Sequence, residues 1–325
     1  MIISRTPLRI SFSGGGTDLK VFYQQEPGAV VSTAIKKYIY ITVNKRFDDA
    51  IRISYSKTEI VNNVDEIQHP IIREALRMVG IDRGIEIVSV ADIPAGTGLG
   101  SSSSFTVGLL NALYAYKGCL KSAEELAQDA ARIEIDILQE PIGKQDQYVA
   151  AFGGLNYIQF NQNESVGVTP LLVRMEVKEL LEQRLLLFYV GDSRDSRNIL
   201  KEQSANTKKE EKFNNLKRMK NLAFDIRACM LNGFSPQEFS HILHEDWLLK
   251  KELAKGISNA FIDNCYKKAL NAGALGGKLL GAGGGGFLLV YCLPEKQSAV
   301  KNELGNLKSL DVRLEPEGSI IRHMM

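Results

Sequence analysis

The chain has 325 residues, a length that favours two domains over one. Apolar residues make up 44% and charged residues 24%, ordinary globular usage that excludes disorder as the main state. The 40 Lys and Arg against 38 Asp and Glu leave a net charge of +2, too balanced for a general grip on nucleic acid or an anionic membrane, so an anionic ligand has to be held locally.

Residues 2–12 alternate like a strand before GGGTD, and 38–43 (YIYITV) and 51–55 (IRISY) repeat the pattern, so the N-terminal third reads as strand-rich. Arg5 and Arg9 interrupt what would have to be the apolar core of a secretory signal, which argues against one. After IEIVSVADIP comes the turn GTGLG, then four serines and the apolar run FTVGLLNALYAY, long enough for a helix whose N-terminus falls in the serines. A second helix is expected from Ser122, which has capping-box spacing to Glu125. Leu126, Ala130, Ile133 and Ile137 recur at helical intervals until Pro141 stops it.

From about residue 176 the texture changes to a buried strand, LLLFYV, followed by charged helices through 198–231, 236–254 and 259–271. GGKLLGAGGGG and a last apolar strand, FLLVYCL, come after them. The shift places a domain boundary near 172, giving domains 1–172 and 173–325. Neither apolar run approaches the ~20 residues of a membrane span. The cysteines Cys119, Cys229, Cys265 and Cys292 show no CxxC and no metal-ligand spacing, which fits a reducing cytoplasm.

Three glycine-rich segments dominate: 14–16, 94–104 and 281–286. No window matches a Walker loop. Gly281, Gly283 and Gly286 match GxGxxG, but a helix is expected before them and a strand after, the reverse of the dinucleotide fingerprint. The 94–104 segment has a direct use. Glycines at 96, 98 and 100 let backbone approach a phosphate, and the helix opening at Ser101, Ser102 and Ser103 offers free N–H groups and hydroxyls for phosphate or Mg²⁺. A turn and a well-capped helix is the structural alternative. For Gly281, Gly283 and Gly284, tight packing at a strand turn is as good a reading as ligand binding. Asp146, in GKQDQ, is either a carboxylate base or the cap of the helix QDQYVAAF.

RTPLRISFSGGGTD, PAGTGLGSSSSF and KLLGAGGGGF resemble, in order and separation, the three signature motifs of the GHMP kinases, over nearly the whole chain. Within that superfamily GGGTD, EPIGKQDQYVAAFGG and DWLLKKEL look most like the D-glycero-D-manno-heptose 7-phosphate kinases. The resemblance implies a two-domain α+β fold, with an N-terminal domain like ribosomal protein S5 domain 2 and a ferredoxin-like C-terminal domain. It implies ATP and Mg²⁺ as cofactors and transfer to a sugar hydroxyl. By the same resemblance Asp146 is the base and Arg9 the cation beside it. Glu134 and Ser102 bind Mg²⁺, the glycine and serine loops hold ATP, and Gly15, Gly16, Thr17 and Asp18 meet the sugar. Galactokinases carry Glu-His where this chain has Gly15-Gly16, so a bulkier sugar is expected to fit. Leu280 replaces a Ser or Thr of many relatives.

A phosphorylated acceptor would need its own cations. Arg194 and Arg197 stand one helical turn apart if a helix begins there, and either bind that phosphate or pair with Asp192 and Asp195. The expected partners are small molecules, with no nucleic acid or membrane and a possible homodimer. The rivals are a kinase of an unphosphorylated sugar such as L-fucose and a kinase-derived sensor without turnover.

Overall fold

The computed structural model describes residues 1–191 and 196–324. The chain opens with β1 (Ile2–Ser13), a short helix α1 (Lys20–Tyr23) and β2 (Gly28–Lys45). Then come β3 (Ile51–Ser54), β4 (Thr58–Val61), α2 (Pro70–Val79), β5 (Ile85–Ala91) and α3 (Ser101–Tyr116). It continues through α4 (Ala123–Ala131), α5 (Gln145–Phe152), β6 (Leu155–Phe160), β7 (Val166–Pro170), α6 (Met175–Arg184) and β8 (Leu185–Tyr189). Four helices follow: α7 (Ser196–Asn206), α8 (Glu210–Leu231), α9 (Pro236–Lys251) and α10 (Ala260–Asn271). The chain ends with β9 (Ala274–Leu279), β10 (Phe287–Cys292), α11 (Pro294–Leu304), β11 (Ser309–Asp311) and β12 (Ile320–Met324).

Two sheets result. One runs β12-β1-β2-β5-β3-β4, with β6 and β7 continuing from the first half of β2; the other runs β11-β8-β10-β9. In sequence order the second sheet reads 4-1-3-2, the split-βαβ arrangement of ferredoxin-like domains. β2 serves two neighbours because it is long: Gly28–Thr33 pairs with β6 and Ile39–Lys45 with β5, while β1 follows both halves. The final strand, β12, returns to β1.

α3 is apolar nearly all round and lies in the core, as a helix with no polar face must. It rests close on β1. Ser104 donates to Pro7 O at 2.7 Å, Ser4 donates to Gly108 O at 2.8 Å, and a Cβ at Gly108 would come within 2.6 Å of Thr6 Oγ1. This contact sets the N-terminus of α3 beside Arg9.

Several expected elements are redrawn. The capping box at Ser122 and Glu125 is present, but the α-helix ends at Ala131 and residues 132–137 widen into a π turn, leaving Ile137 exposed. The expected helix 198–231 breaks at 207–209 into α7 and α8. The segment before the third glycine loop is the strand β9, not a helix, so the loop is a hairpin connection. Gly276 and Gly277 hide that strand from a propensity reading, yet a side chain at either would run into the backbone of Ser240 or Leu289.

Candidate active site

One cleft of about 320 Å³ gathers most of the residues singled out by sequence. Its walls are Arg9 of β1, the 14–18 loop, the turn 96–100, the start of α3, Glu134, residues 140–146, one face of α7 and the third glycine loop.

At its centre Arg9 and Asp146 form a two-pronged pair. Arg9 Nε donates to Asp146 Oδ1 at 2.7 Å and its second terminal nitrogen donates to Oδ2 at 2.6 Å. The remaining terminal nitrogen reaches Gly98 O at 2.6 Å, and the backbone N–H of Arg9 donates to Leu99 O at 3.0 Å. One residue thus links the carboxylate to the glycine turn. Burial opposes ionisation of Asp146, but the charge and hydrogen bonds of Arg9, helped by Gln145 and the charge of Lys250, outweigh it and hold the carboxyl below its ordinary range. Asp146 lies in the first turn of α5 and does not cap it, so the capping alternative fails.

Glu134 sits on the π turn, 1% exposed, and takes Ser102 Oγ on Oε1 and Gln147 Nε2 on Oε2, both at 2.7 Å. Burial pushes its pKa up against the lowering effect of these hydrogen bonds. The π turn decides where this carboxylate points, since widening the helix by a residue rotates everything after it. Ser102 and Glu134 offer a hydroxyl and a carboxylate side by side at the cleft wall. This all-oxygen pair fits Mg²⁺, which takes one or two protein oxygens and completes its shell with phosphates and water.

Asp18 accepts from Gly16 N at 2.9 Å and Gln145 N at 3.2 Å, tying the first glycine loop to the start of α5. Burial, then the charge of Asp146, raises its pKa.

Some expected contacts are not made. Thr17 faces inward, its hydroxyl lying 2.8 Å from Gly14 O and 3.0 Å from Ala29 O and accepting from Ala29 N, and does not line the cleft. Gly284 spends its N–H on Ile257 O, so that group cannot also hold a phosphate. At Gly98 and Gly283 the space of a side chain is already protein: a Cβ would lie 2.5 Å from Leu280 O in one case and 2.6 Å from Ile257 Cα in the other. Gly98 and Gly281 face each other backbone to backbone in the direction a side chain would take, so these glycines join the two loops while both still line the cleft. Only Gly96 of that turn has open space beside it. Of the room expected at Gly15 and Gly16, that at Gly15 is open, with Ser11 Oγ 3.9 Å from where a Cβ would be, whereas at Gly16 the side-chain amide of Gln203 of α7 comes within 2.5 Å.

Arg197 lies at the rim and pairs with Glu140 at 3.2 Å, while Arg194, Asp192 and Asp195 lie outside the described residues. Sequence reasoning missed Asp246, Lys278 and Lys250. Asp246 is fully buried and accepts from Ser13 Oγ at 2.7 Å and Gly14 N at 3.1 Å. It also pairs with Lys278, whose ammonium reaches Phe12 O at 3.1 Å. The signal available was Asp and Lys inside apolar stretches, and it could not say which face they occupy.

A carboxylate held ionised by an arginine, beside an oxygen pair suited to a divalent ion and a helix N-terminus suited to phosphate, defines a phosphotransferase site. The comparisons agree. The model of the GHMP kinases N terminal domain matches residues 62–154 and that of the GHMP kinases C terminal domain matches 229–308, together just over half of the chain. The chain belongs to the GHMP kinase family, ATP-dependent phosphotransferases that work with a divalent metal, generally Mg²⁺.

It is 28% identical to a D-glycero-alpha-D-manno-heptose 7-phosphate kinase of Campylobacter jejuni over 94% of both chains. It is 29% identical to an L-fucokinase/L-fucose-1-P guanylyltransferase of Bacteroides fragilis, covering 93% of this chain but 35% of that one. Among solved structures it superposes on a D-glycero-D-manno-heptose 1-phosphate kinase from Bacteroides thetaiotaomicron with a TM-score of 0.83, 26% identity and full coverage of both chains. A galactokinase of Lactococcus lactis shares the fold at a TM-score of 0.80 and 18% identity, covering 98% of this chain and 94% of that one. No helix among the described residues is long and apolar enough to cross a membrane.

Proposed function

We propose that this protein transfers the γ-phosphoryl of ATP to the anomeric hydroxyl of D-glycero-D-manno-heptose 7-phosphate, giving the 1,7-bisphosphate. The observation that carries the reading is the Arg9–Asp146 pair, set between the serine-rich first turn of α3 and the loop at 14–18. Asp146 takes the proton of the attacking hydroxyl. Arg9 keeps that carboxylate ionised and meets charge developing on the phosphoryl. Ser102 and Glu134 hold Mg²⁺, which neutralises phosphate charge when bound. Ser101, Ser103 and the N–H groups of the first turn of α3 receive the nucleotide phosphates. Asp18 and the backbone of Gly15 receive sugar hydroxyls.

The acceptor's own phosphate is assigned to the rim at Arg197, which would exchange Glu140 for a doubly charged ester. A kinase of an unphosphorylated sugar is the second reading. The likeness to the fucokinase favours it, as does the fact that Arg197 already has a carboxylate partner. The test is ADP release from ATP and Mg²⁺ across a panel of heptose phosphates, L-fucose and hexoses. Our reading expects kcat/KM to be highest for heptose 7-phosphate, and a higher value for L-fucose would replace it with the second.

A further inference from the structure

Lys250 belongs to none of the three glycine motifs. It sits near the end of α9 with its side chain inside the protein, 7% exposed, and reaches the cleft beside the third glycine loop. Its Nζ donates to Gly281 O at 2.5 Å and to Leu279 O at 3.4 Å. An ammonium carries three donors, so one is left over.

Among the described residues the charge itself has no counter-ion in contact. Of the neighbouring carboxylates, Asp246 is paired with Lys278 and Asp146 with Arg9, while Asp18 caps the backbone of Gly16 and Gln145. Among the described residues Lys250 makes no ion pair within 4.0 Å. A buried cation satisfied only by carbonyls is costly, and an anion delivered to the cleft relieves that cost. Lys250 lines the cleft together with the third glycine loop and the Arg9–Asp146 pair, where a γ-phosphoryl has to lie if it is attacked by a hydroxyl that gives its proton to Asp146.

We propose that Lys250 is the cation that receives the γ-phosphoryl of ATP, its ammonium aimed by the carbonyls of Leu279 and Gly281 and its third donor turned to the phosphate. The charge environment agrees. Burial, then the charge of Lys278, lowers the pKa of the amine to about 7, with Arg9 adding to the fall and Asp246 and Asp18 opposing it. Burial thus weakens the hold of Lys250 on its proton, and an arriving polyanion strengthens it.

Calorimetry of MgATP binding without any acceptor tests this, so the outcome does not depend on which sugar is used. Titrations at about pH 8, in two buffers of different ionisation enthalpy, report proton uptake. MgATP should take up roughly 0.5–1 proton and MgADP clearly less. Lys250→Arg, permanently charged, should bind MgATP within a few-fold of wild type with no uptake. Lys250→Met should also show none, and should lose ~10-fold or more of the preference for MgATP over MgADP. If Lys250→Met does not fold, Lys250→Arg carries the test alone. Uptake that is equal for MgADP or unchanged in Lys250→Arg, or a preference for MgATP over MgADP in Lys250→Met equal to that of wild type, would overturn the proposal. Such results would leave Lys250 as a strut for the glycine loop.

Discussion

Asp146 receives two hydrogen bonds from the single guanidinium of Arg9, 137 positions earlier in the chain, and the same guanidinium donates to the carbonyl of Gly98 in the glycine turn. The geometry couples the base to the nucleotide loop. A lysine at position 9 could supply the charge but not the fork, because its ammonium is a point donor.

Glu134→Gln should raise the Mg²⁺ concentration needed for half-maximal activity and lower kcat. The amide keeps the shape and can still accept from Ser102, but it withdraws a negative oxygen from the metal's shell. A Mg²⁺ titration that superimposes on wild type would remove Glu134 from the metal site.

Gly281→Ala and Gly96→Ala should behave differently although both glycines have positive φ, 73° and 78°. Alanine at 96 meets nothing within 4 Å and costs about 1 kcal/mol of backbone strain. At 281 it strikes the backbone of Gly98, adding an overpacking cost of about 1–3 kcal/mol. Urea denaturation should rank Gly281→Ala well below Gly96→Ala. Equal midpoints would mean that the two loops separate freely.

Part of the site was legible in the sequence, and the reason differs from element to element. The three glycine segments and the serine-rich helix start could be read because each is a local pattern with a local meaning, whereas local pattern left Asp146 open between base and cap until the resemblance was added. The π turn carrying Glu134 could not, since Leu126, Ala130, Ile133 and Ile137 fit an unbroken helix equally well. Nor could the packing of Gly98 on Gly281, or of Gln203 on Gly16, because these contacts join segments more than 180 residues apart. The resemblance places Thr17 at the sugar, but its hydroxyl is spent on the backbone of Gly14 and Ala29 inside the loop.

Arg197→Ala should raise KM for heptose 7-phosphate ~10-fold or more and leave the KM for ATP near wild type, since a charge-assisted contact contributes about 1.5–3 kcal/mol. Loss of the exposed pair with Glu140 is not expected to alter stability measurably. Unchanged KM values for both substrates would move the acceptor phosphate elsewhere on the cleft.

The depressed pKa of Lys250 also has a stability consequence. Between about pH 7 and its ordinary value of 10.5 the unfolded chain binds a proton at Lys250 that the native protein does not. The lysine's contribution to stability therefore climbs with pH through that window and is flat below it. Melting temperatures of wild type relative to Lys250→Met should rise from pH 7 to pH 10. A difference that stays constant would mean the amine keeps its proton when buried.

The most direct test of the account is the turnover of Asp146→Asn with MgATP and the best acceptor found. The asparagine preserves size and can still take one hydrogen bond from Arg9, but it cannot accept the proton of the attacking hydroxyl. The account predicts a fall in kcat of at least ~10²-fold with MgATP affinity nearly unchanged. A variant that turns over at close to the wild-type rate would contradict it, and would leave the Arg9–Asp146 pair as a structural tie between β1, α5 and the glycine turn.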